Sequence, residues 1–195
     1  MNLPNRLTVA RIIMTPLFMA AMLIEFPFHY LVALVLFAAA SFTDMLDGKI
    51  ARARNLVTNF GKFLDPLADK MLTTAAFIGF LAKGFGVGIV WVLFIVLFRE
   101  FMISSLRLVV VSSDKSKVIA ANIYGKLKTV TQMAAIIFGL LVMSVTTEIY
   151  PTCPESTNLV LYIVFNVLLW ASAVAAVISG IIYMKDSFEF IDPTK

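Results

Sequence analysis

Long apolar stretches alternate with short polar or turn-forming segments along the whole chain. Six stretches are long enough to cross a bilayer, which takes roughly 17–25 residues, and they lie at 7–25, 28–47, 60–82, 86–110, 128–147 and 158–184. Proline, glycine or charged residues separate them, at 25–27, 49–54, 83–86, 112–115 and 150–154. The pattern therefore predicts an all-α polytopic membrane protein with six transmembrane helices, folded as a single membrane domain over residues 1–195.

The composition agrees with a membrane location. Hydrophobic residues make up 61% of the chain and charged residues 14%, and the mean hydropathy is +0.94. Soluble domains carry about 25% charged residues, so the composition argues against a soluble enzyme or binding module. The single cysteine, Cys153, has no partner for a disulfide within the chain, and no Cys/His cluster offers a structural zinc site.

The distribution of lysine and arginine predicts the orientation, because these residues are held on the cytoplasmic side when they lie in short loops. With a cytoplasmic N-terminus, the external loops carry only Lys83, and the cytoplasmic segments carry Arg6, Lys49, Arg52, Arg54, Lys115, Lys117, Lys126, Lys185 and Lys195. We therefore expect a multi-pass protein of the cell membrane with both termini in the cytoplasm. The net charge of +4 then reflects this topology and the attraction to anionic lipid headgroups, and it gives no reason to expect nucleic-acid binding.

Four aspartates fall between residues 44 and 69, at helical spacings on the second and third predicted spans. Asp44 and Asp47 share one face of a helix, and Asp65 and Asp69 share one face of the next. A turn at 54–59 can fold the two helices into an antiparallel pair, and the four carboxylates would then converge. Carboxylates packed together repel one another unless cations lie between them, and oxygen ligands suit hard divalent ions. The cluster therefore predicts a cytoplasm-facing site for one or two cations such as Mg²⁺ or Mn²⁺.

Small residues accompany these acids on the same helix faces. Gly48, Ala51 and Gly61 leave room for a ligand to approach the backbone, and Arg52 can neutralise a phosphate beside them. Two alternative roles stay open for these positions. Intramembrane carboxylates can form the ion pathway of a small transporter, and small residues on a span often serve close helix packing.

The segment from Asp44 to Asp69 resembles the signature of the CDP-alcohol phosphatidyltransferases and matches it at every defined position. Members of this family are integral-membrane enzymes that transfer a substituted phosphate from a CDP-alcohol to an acceptor hydroxyl, with release of CMP. The resemblance implies that two divalent cations, Mg²⁺ or Mn²⁺, clamp the CDP diphosphate. Their ligands would be Asp44, Asp47, Asp65 and Asp69, and Asp69 would also be the general base.

The nucleotide is then expected to lie where a larger side chain would clash with cytidine. Gly48, Ala51 and Arg52 would form the wall of this site, with Gly61 on the next helix. Thr8 and Arg11 of the first span are expected to reach the same nucleotide. The lipid tails would stay in the bilayer.

Three further segments resemble the bacterial members of the family that use CDP-diacylglycerol and glycerol 3-phosphate: 2–11, 98–100 and 125–129. A cation within or next to a span is costly unless it is paired, and the acceptor phosphate would be a suitable partner for Arg99, Arg107, Lys126 and Lys128. Alternatively, Arg99 pairs with Glu100 or with an acid of the metal site, and Lys126 and Lys128 face anionic lipid. A sister activity with inositol phosphate or serine as the acceptor is a separate alternative. The sequence leaves open whether the chain forms a homodimer.

Overall fold

The computed structural model describes residues 2–53, 59–112 and 123–188, and at 3–4, 45–53, 59–60, 62–63 and 108–112 it describes the backbone alone. Regular structure within these ranges is helical, and the helices are α1 Leu3–Leu23, α2 His29–Ala53, α3 Asn59–Ala82, α4 Ile89–Ser112, α5 Ile123–Ser144 and α6 Glu155–Ser187. A π-helical turn, Val145–Ile149, extends α5. The all-α prediction is confirmed, and each helix overlaps one predicted apolar stretch.

Four of the described helices contain a segment long and apolar enough to cross a membrane: Asn5–Leu23, Ile89–Arg107, Ile123–Ile149 and Glu155–Ser187. The apolar part of α2 is the shorter segment His29–Asp44. Many large apolar side chains point outward, as expected for contact with lipid; Phe101 and Trp91 are 68% and 65% exposed. The chain is therefore a multi-pass membrane protein, whereas the full number of six spans stays a prediction.

The first and fifth helices begin four and five residues earlier than the apolar stretches predict. At the start of α1, Asn2 has extended backbone angles, and its Oδ1 accepts a 3.2 Å hydrogen bond from the Asn5 N–H. This bond satisfies one of the N–H groups that a first helical turn leaves without a partner. The fifth helix begins at Ile123, so Lys126 and Lys128 lie in its first turns and not in the loop before it.

Contacts between Cα atoms divide the chain into two compact units, of which the first comprises Met1–Gly86 and Ile136–Phe165. In this unit, α1 packs along both α2 and α3. Its core consists of fully buried aromatic and aliphatic side chains, among them Phe18, Phe37, Phe77, Phe80 and Phe165. Gly139 permits close approach in this core, because a Cβ atom there would lie 2.5 Å from Phe165 Cε2 and 2.8 Å from Phe80 Cζ.

The second unit comprises Val87–Ala135 and Asn166–Lys195. Here the segment before α4 is held by two side chains of α6: the Val87 N–H donates to Asn166 Oδ1 at 2.6 Å, and Trp170 Nε1 donates to the Val87 carbonyl at 2.9 Å. Gly88 has φ +68°, and a Cβ atom there would lie 2.9 Å from Trp170 Cζ2. A glycine is therefore required at this junction by both conformation and space.

Candidate active site

The buried polar side chains of α1 include Thr8 and Arg11, which lie one turn apart and are 1% and 0% exposed. Arg11 Nη1 lies 2.6 Å from Asp44 Oδ1 of α2, and Arg11 Nε donates a 3.3 Å hydrogen bond to the Ala40 carbonyl. A guanidinium withdrawn from water requires compensating partners. The carboxylate and the carbonyl, which lie one turn apart on α2, provide them.

Thr8 makes the corresponding contact with the third helix. Its Oγ1 donates a 2.7 Å hydrogen bond to Asp65 Oδ1, and Asp65 itself is exposed. Neighbouring turns of one helix therefore hold an acid of α2 and an acid of α3.

Asp69 is exposed and lies one turn after Asp65, while the buried Gly61 lies one turn before it. Residues four apart share a helix face, so Gly61, Asp65 and Asp69 form one stripe along α3. The glycine places no side chain beside the two acids.

The remaining predicted residues of the motif, Asp47, Gly48, Ala51 and Arg52, belong to the last turns of α2, where only the backbone is described. The predictions for their side chains lie outside the described part of the structure. Among the side chains that are described, no three His, Cys, Asp or Glu residues are grouped closely enough to hold a metal ion. The convergence of all four aspartates therefore stays a prediction.

The described acids are suited to a hard divalent cation. The Asp44 side chain is 46% exposed, and Asp65 and Asp69 are exposed, so their carboxylates are accessible. The contacts of Asp44 and Asp65 with α1 described above use Oδ1 in both cases, and an ionised carboxylate offers about four acceptor positions on its two oxygens. Mg²⁺ or Mn²⁺, which prefer such oxygen ligands, fit this donor set without displacing the contacts to α1.

A second group of charges lies in the second unit, on α4, α5 and α6. Arg99 Nη1 and Lys128 Nζ both contact Glu100 Oε1, at 2.9 Å and 2.7 Å, and these side chains are at most 17% exposed. Arg99 Nη2 also donates to Ser179 Oγ at 2.6 Å, whereas the buried Arg99 Nε has no hydrogen-bond partner among the described residues. The pairing of Arg99 with Glu100, which the sequence left as an alternative, is therefore present. Two cations thus share the Glu100 carboxylate.

Lys126 and Arg107 differ from this buried pair because both are exposed. Lys126 is two residues from Lys128 on α5, so the two lysines point to different helix faces. Arg107 Nε donates a 3.4 Å hydrogen bond to Tyr183 Oη, and Arg107 Cζ lies 5.7 Å from the centre of the Tyr183 ring, within reach of a cation–π interaction. The four cations predicted to bind the acceptor phosphate thus separate into a buried pair and an exposed pair.

Sequence reasoning assigned Arg11 to the nucleotide and gave no site role to Glu100 or Ser179. A signal for the charged residues was present, since a charge inside an apolar span requires a partner. Arg11 in the first span and the acids at the end of the second span carry opposite charges and are therefore suitable partners. Ser179 offers no comparable signal, because serine on a span commonly serves helix packing.

Residues 1–182 match the sequence profile of a family described as CDP-alcohol phosphatidyltransferase. The match covers most of the chain and includes both groups of charges. The chain belongs to the CDP-alcohol phosphatidyltransferase family. As a member of this family, it is a phosphatidyltransferase of the EC 2.7.8 type and acts in phospholipid biosynthesis.

Several members of the family are similar to the chain over nearly its whole length. The CDP-diacylglycerol–glycerol-3-phosphate 3-phosphatidyltransferase of Bacillus subtilis is 38% identical over 200 aligned positions, which cover 96% of each protein. The protein of the same name from Rickettsia bellii is 38% identical over 94% of each chain. A probable phosphatidylglycerophosphate synthase of Mycobacterium tuberculosis is 36% identical over 94% of this chain and 80% of its own length.

Proposed function

We propose that the chain transfers the phosphatidyl group of CDP-diacylglycerol to glycerol 3-phosphate, giving phosphatidylglycerophosphate and CMP. The observation that carries this proposal is the similarity, at 36% and 38% identity over 94–96% of the chain, to relatives named for this reaction or its product. The acids near α1 can hold the cations that a diphosphate requires, and the lysines and arginines of the second unit can each contact a phosphate.

Two divalent cations, Mg²⁺ or Mn²⁺, are proposed to bind the diphosphate, with Asp44, Asp47, Asp65 and Asp69 as their ligands. The accessibility of the three described carboxylates supports this assignment. When bound, such a pair of ions neutralises the phosphate oxygens and stabilises the leaving group. Arg11 adds a fixed positive charge beside Asp44.

Asp69 is proposed as the general base. Its carboxylate would accept the proton of the acceptor hydroxyl while the hydroxyl oxygen forms a bond to the phosphatidyl phosphorus. The bond between this phosphorus and CMP breaks, and CMP leaves with its electron pair. The exposure of Asp69 supports the role, because the base must meet an acceptor that arrives from water.

The nucleotide is proposed to lie against Gly48, Ala51 and Arg52 of α2 and Gly61 of α3. The helix positions of Gly61 and Asp65, one turn apart, support a ligand that approaches the backbone next to the acids. Arg52 would neutralise a phosphate of the same ligand. The predicted nucleotide contact of Thr8 has less support, since the Thr8 hydroxyl donates to Asp65.

The acceptor phosphate is proposed to contact Arg107 and Lys126, the two exposed cations. Arg99 and Lys128 would act on it through their positive charges, because positive charge raises the local concentration of anions. Arg99 Nε is buried and has no hydrogen-bond partner among the described residues, which supports a place for an additional acceptor atom in this cluster.

The enzyme is proposed to span the membrane six times, with both termini and the acidic site on the cytoplasmic side. The position of the lysines and arginines supports this orientation. The water-soluble product CMP and the soluble acceptor would then stay in the cytoplasm. A homodimer stays a prediction that the single described chain does not test.

An acceptor panel with the purified protein and CDP-diacylglycerol tests this function. We expect CMP release and phosphatidylglycerophosphate formation with glycerol 3-phosphate. Formation of phosphatidylserine or phosphatidylinositol phosphate would instead assign the chain to a sister activity. Substrate flux into vesicles without CMP release would support the transporter alternative.

The same assay tests the cations. Protein treated with a chelator should be inactive, and Mg²⁺ or Mn²⁺ should restore activity. Ca²⁺ should restore it poorly, because its longer and looser coordination places the diphosphate differently. Full activity after exhaustive chelation would exclude the two-cation proposal.

A further inference from the structure

The first helix is the element that joins the two acid-bearing helices. It packs along both α2 and α3, whereas the described parts of α2 and α3 make few contacts with each other. Among the described residues, α1 therefore provides more of the packing around Asp44 and Asp65 than α2 and α3 provide for each other.

Arg11 fixes the α2 side of this arrangement. Its guanidinium is fully buried and contacts both the Asp44 carboxylate and the Ala40 carbonyl of the preceding turn. A guanidinium presents its N–H groups in a rigid planar fork. Two acceptors on adjacent turns of α2 therefore determine both the position and the rotation of this helix relative to α1.

Thr8 fixes the α3 side. Its buried hydroxyl donates to Asp65 Oδ1 at 2.7 Å, in the range of a hydrogen bond to an ionised oxygen. Thr8 and Arg11 lie three residues apart on α1, so they project from the same face. One rigid face thus orients a carboxylate on each of two helices.

We infer that Thr8 and Arg11 are positioning residues that orient the Asp44 and Asp65 carboxylates for the divalent cations. This inference rests on the two-cation site proposed above. It also gives Thr8 a role different from the nucleotide contact predicted from the sequence. Residues that orient metal ligands in this way typically change metal affinity or activity by about 10–100-fold when they are replaced.

The two roles of Thr8 predict different measurements. As a nucleotide contact, Thr8 would affect the KM for CDP-diacylglycerol and leave cation binding to the substrate-free protein unchanged. As a positioning residue, it would affect cation binding in the absence of any substrate. Binding of Mn²⁺ to detergent-purified protein, followed by electron paramagnetic resonance, therefore distinguishes them.

Thr8→Val removes the hydroxyl at nearly constant volume, and Thr8→Ser keeps it. We expect Thr8→Val to weaken Mn²⁺ binding about tenfold or more and Thr8→Ser to bind nearly as the wild type. Thr15→Val is the matched control, because Thr15 is also buried on α1 and its hydroxyl donates to the Arg11 carbonyl of its own helix. This control should bind Mn²⁺ as the wild type does.

Arg11→Lys tests whether the planar guanidinium is needed. Lysine keeps the positive charge but cannot contact both the Asp44 carboxylate and the Ala40 carbonyl with the same geometry. We expect Arg11→Lys to bind Mn²⁺ more weakly than the wild type. Arg6→Lys, at an exposed position of the same helix, is the control and should bind Mn²⁺ as the wild type does. Thermal unfolding of each variant shows whether it is folded. If Arg11→Lys does not fold, the comparison of Thr8→Val with Thr8→Ser still tests the inference.

Equal Mn²⁺ affinity of wild type and Thr8→Val would overturn this inference and leave the two-cation proposal standing. A wild-type protein that binds no Mn²⁺ would overturn both. If Thr8→Val weakens Mn²⁺ binding but glycerol 3-phosphate is not the acceptor, the inference holds while the proposed reaction fails.

Discussion

Lys128 and Glu100 form an ion pair of 2.7 Å in which the lysine side chain is 9% exposed and the glutamate side chain 17%. The two residues lie 28 positions apart, on α5 and α4. The same Glu100 oxygen also accepts from Arg99, so one acid compensates two nearly buried cations. The loss of this acid should therefore be more harmful than the loss of either cation.

Glu100→Gln should lower the melting temperature more than Lys128→Met does. The first change removes the acid that Arg99 and Lys128 share, whereas the second leaves Glu100 paired with Arg99. Removal of one partner of a fully buried pair costs about 3–5 kcal/mol, and we expect a smaller value here because Glu100 keeps some exposure. Thermal unfolding in detergent gives the melting temperatures of both variants, and Lys126→Met, at an exposed position, is the control. A larger loss for Lys128→Met would contradict the role given to Glu100.

Asp69→Asn should leave CDP-diacylglycerol binding largely in place and remove most turnover. The amide can still lie near the cations, but it cannot take the proton of the acceptor hydroxyl. General bases contribute roughly 10²–10⁴-fold to rates. CMP release gives the rate, and equilibrium binding of the lipid nucleotide gives the affinity. Asp186→Asn, an exposed acid on α6, should behave as the wild type. Normal turnover of Asp69→Asn would remove Asp69 from the mechanism.

Glu148, which lies far from α2 in the sequence, caps the N-terminus of α2. Its Oε1 accepts from the Tyr30 N–H at 2.7 Å and its Oε2 from the Leu31 N–H at 3.0 Å. The side chain is 8% exposed. A carboxylate at this position satisfies N–H groups that the first helical turn cannot pair and also interacts favourably with the helix dipole.

Glu148→Gln should therefore destabilise the protein without changing the KM values of the folded fraction. A glutamine has one carbonyl oxygen, so one of the two backbone N–H groups loses its acceptor. Hydrogen bonds to charged groups contribute about 1.5–3 kcal/mol each. Glu25→Gln is the control, because its carboxylate is 86% exposed and lies 3.7 Å from Lys83, and surface pairs contribute little. Equal melting temperatures for both variants would refute the capping role.

The helices could be located from the sequence because proline, glycine and charged segments interrupt the apolar stretches. Their starts were less accurate where polar residues belong to the helix itself. Lys126 and Lys128 lower the local hydropathy and moved the predicted start of α5 to residue 128, but helix formation tolerates lysine well. The chain therefore continues the helix back to Ile123.

The helical spacing of the candidate acids could be read from the sequence, whereas their partners could not. Asp65 and Asp69 share a face by helix geometry alone, but the contact of Arg11 with Asp44 joins residues 33 positions apart. Such a contact depends on how α1 packs on α2, and hydrophobic periodicity does not specify that packing. The same holds for Glu148 and the N-terminus of α2, which lie 118 positions apart.

The exposed cations provide the sharpest test of the acceptor. If Lys126 and Arg107 bind the phosphate of glycerol 3-phosphate, Lys126→Met and Arg107→Met should each raise the KM for this substrate and leave the affinity for CDP-diacylglycerol nearly unchanged. A charge-assisted hydrogen bond contributes about 1.5–3 kcal/mol, which corresponds to a change of roughly tenfold or more. Steady-state kinetics at saturating CDP-diacylglycerol measures this KM.

Two further lysines provide the comparison for this experiment. Lys185→Met removes an exposed charge near the end of α6 and should leave the KM unchanged. Lys128→Ala should change the KM less than Lys126→Met, because the Lys128 ammonium is already paired with Glu100 on another face of α5. Its main effect should be on the melting temperature. Equal and small KM effects at Lys126, Arg107 and Lys128 would mean that these cations serve membrane topology or lipid headgroups. The phosphorylated acceptor would then have no support from the charges of this chain and would rest on its similarity to the named relatives.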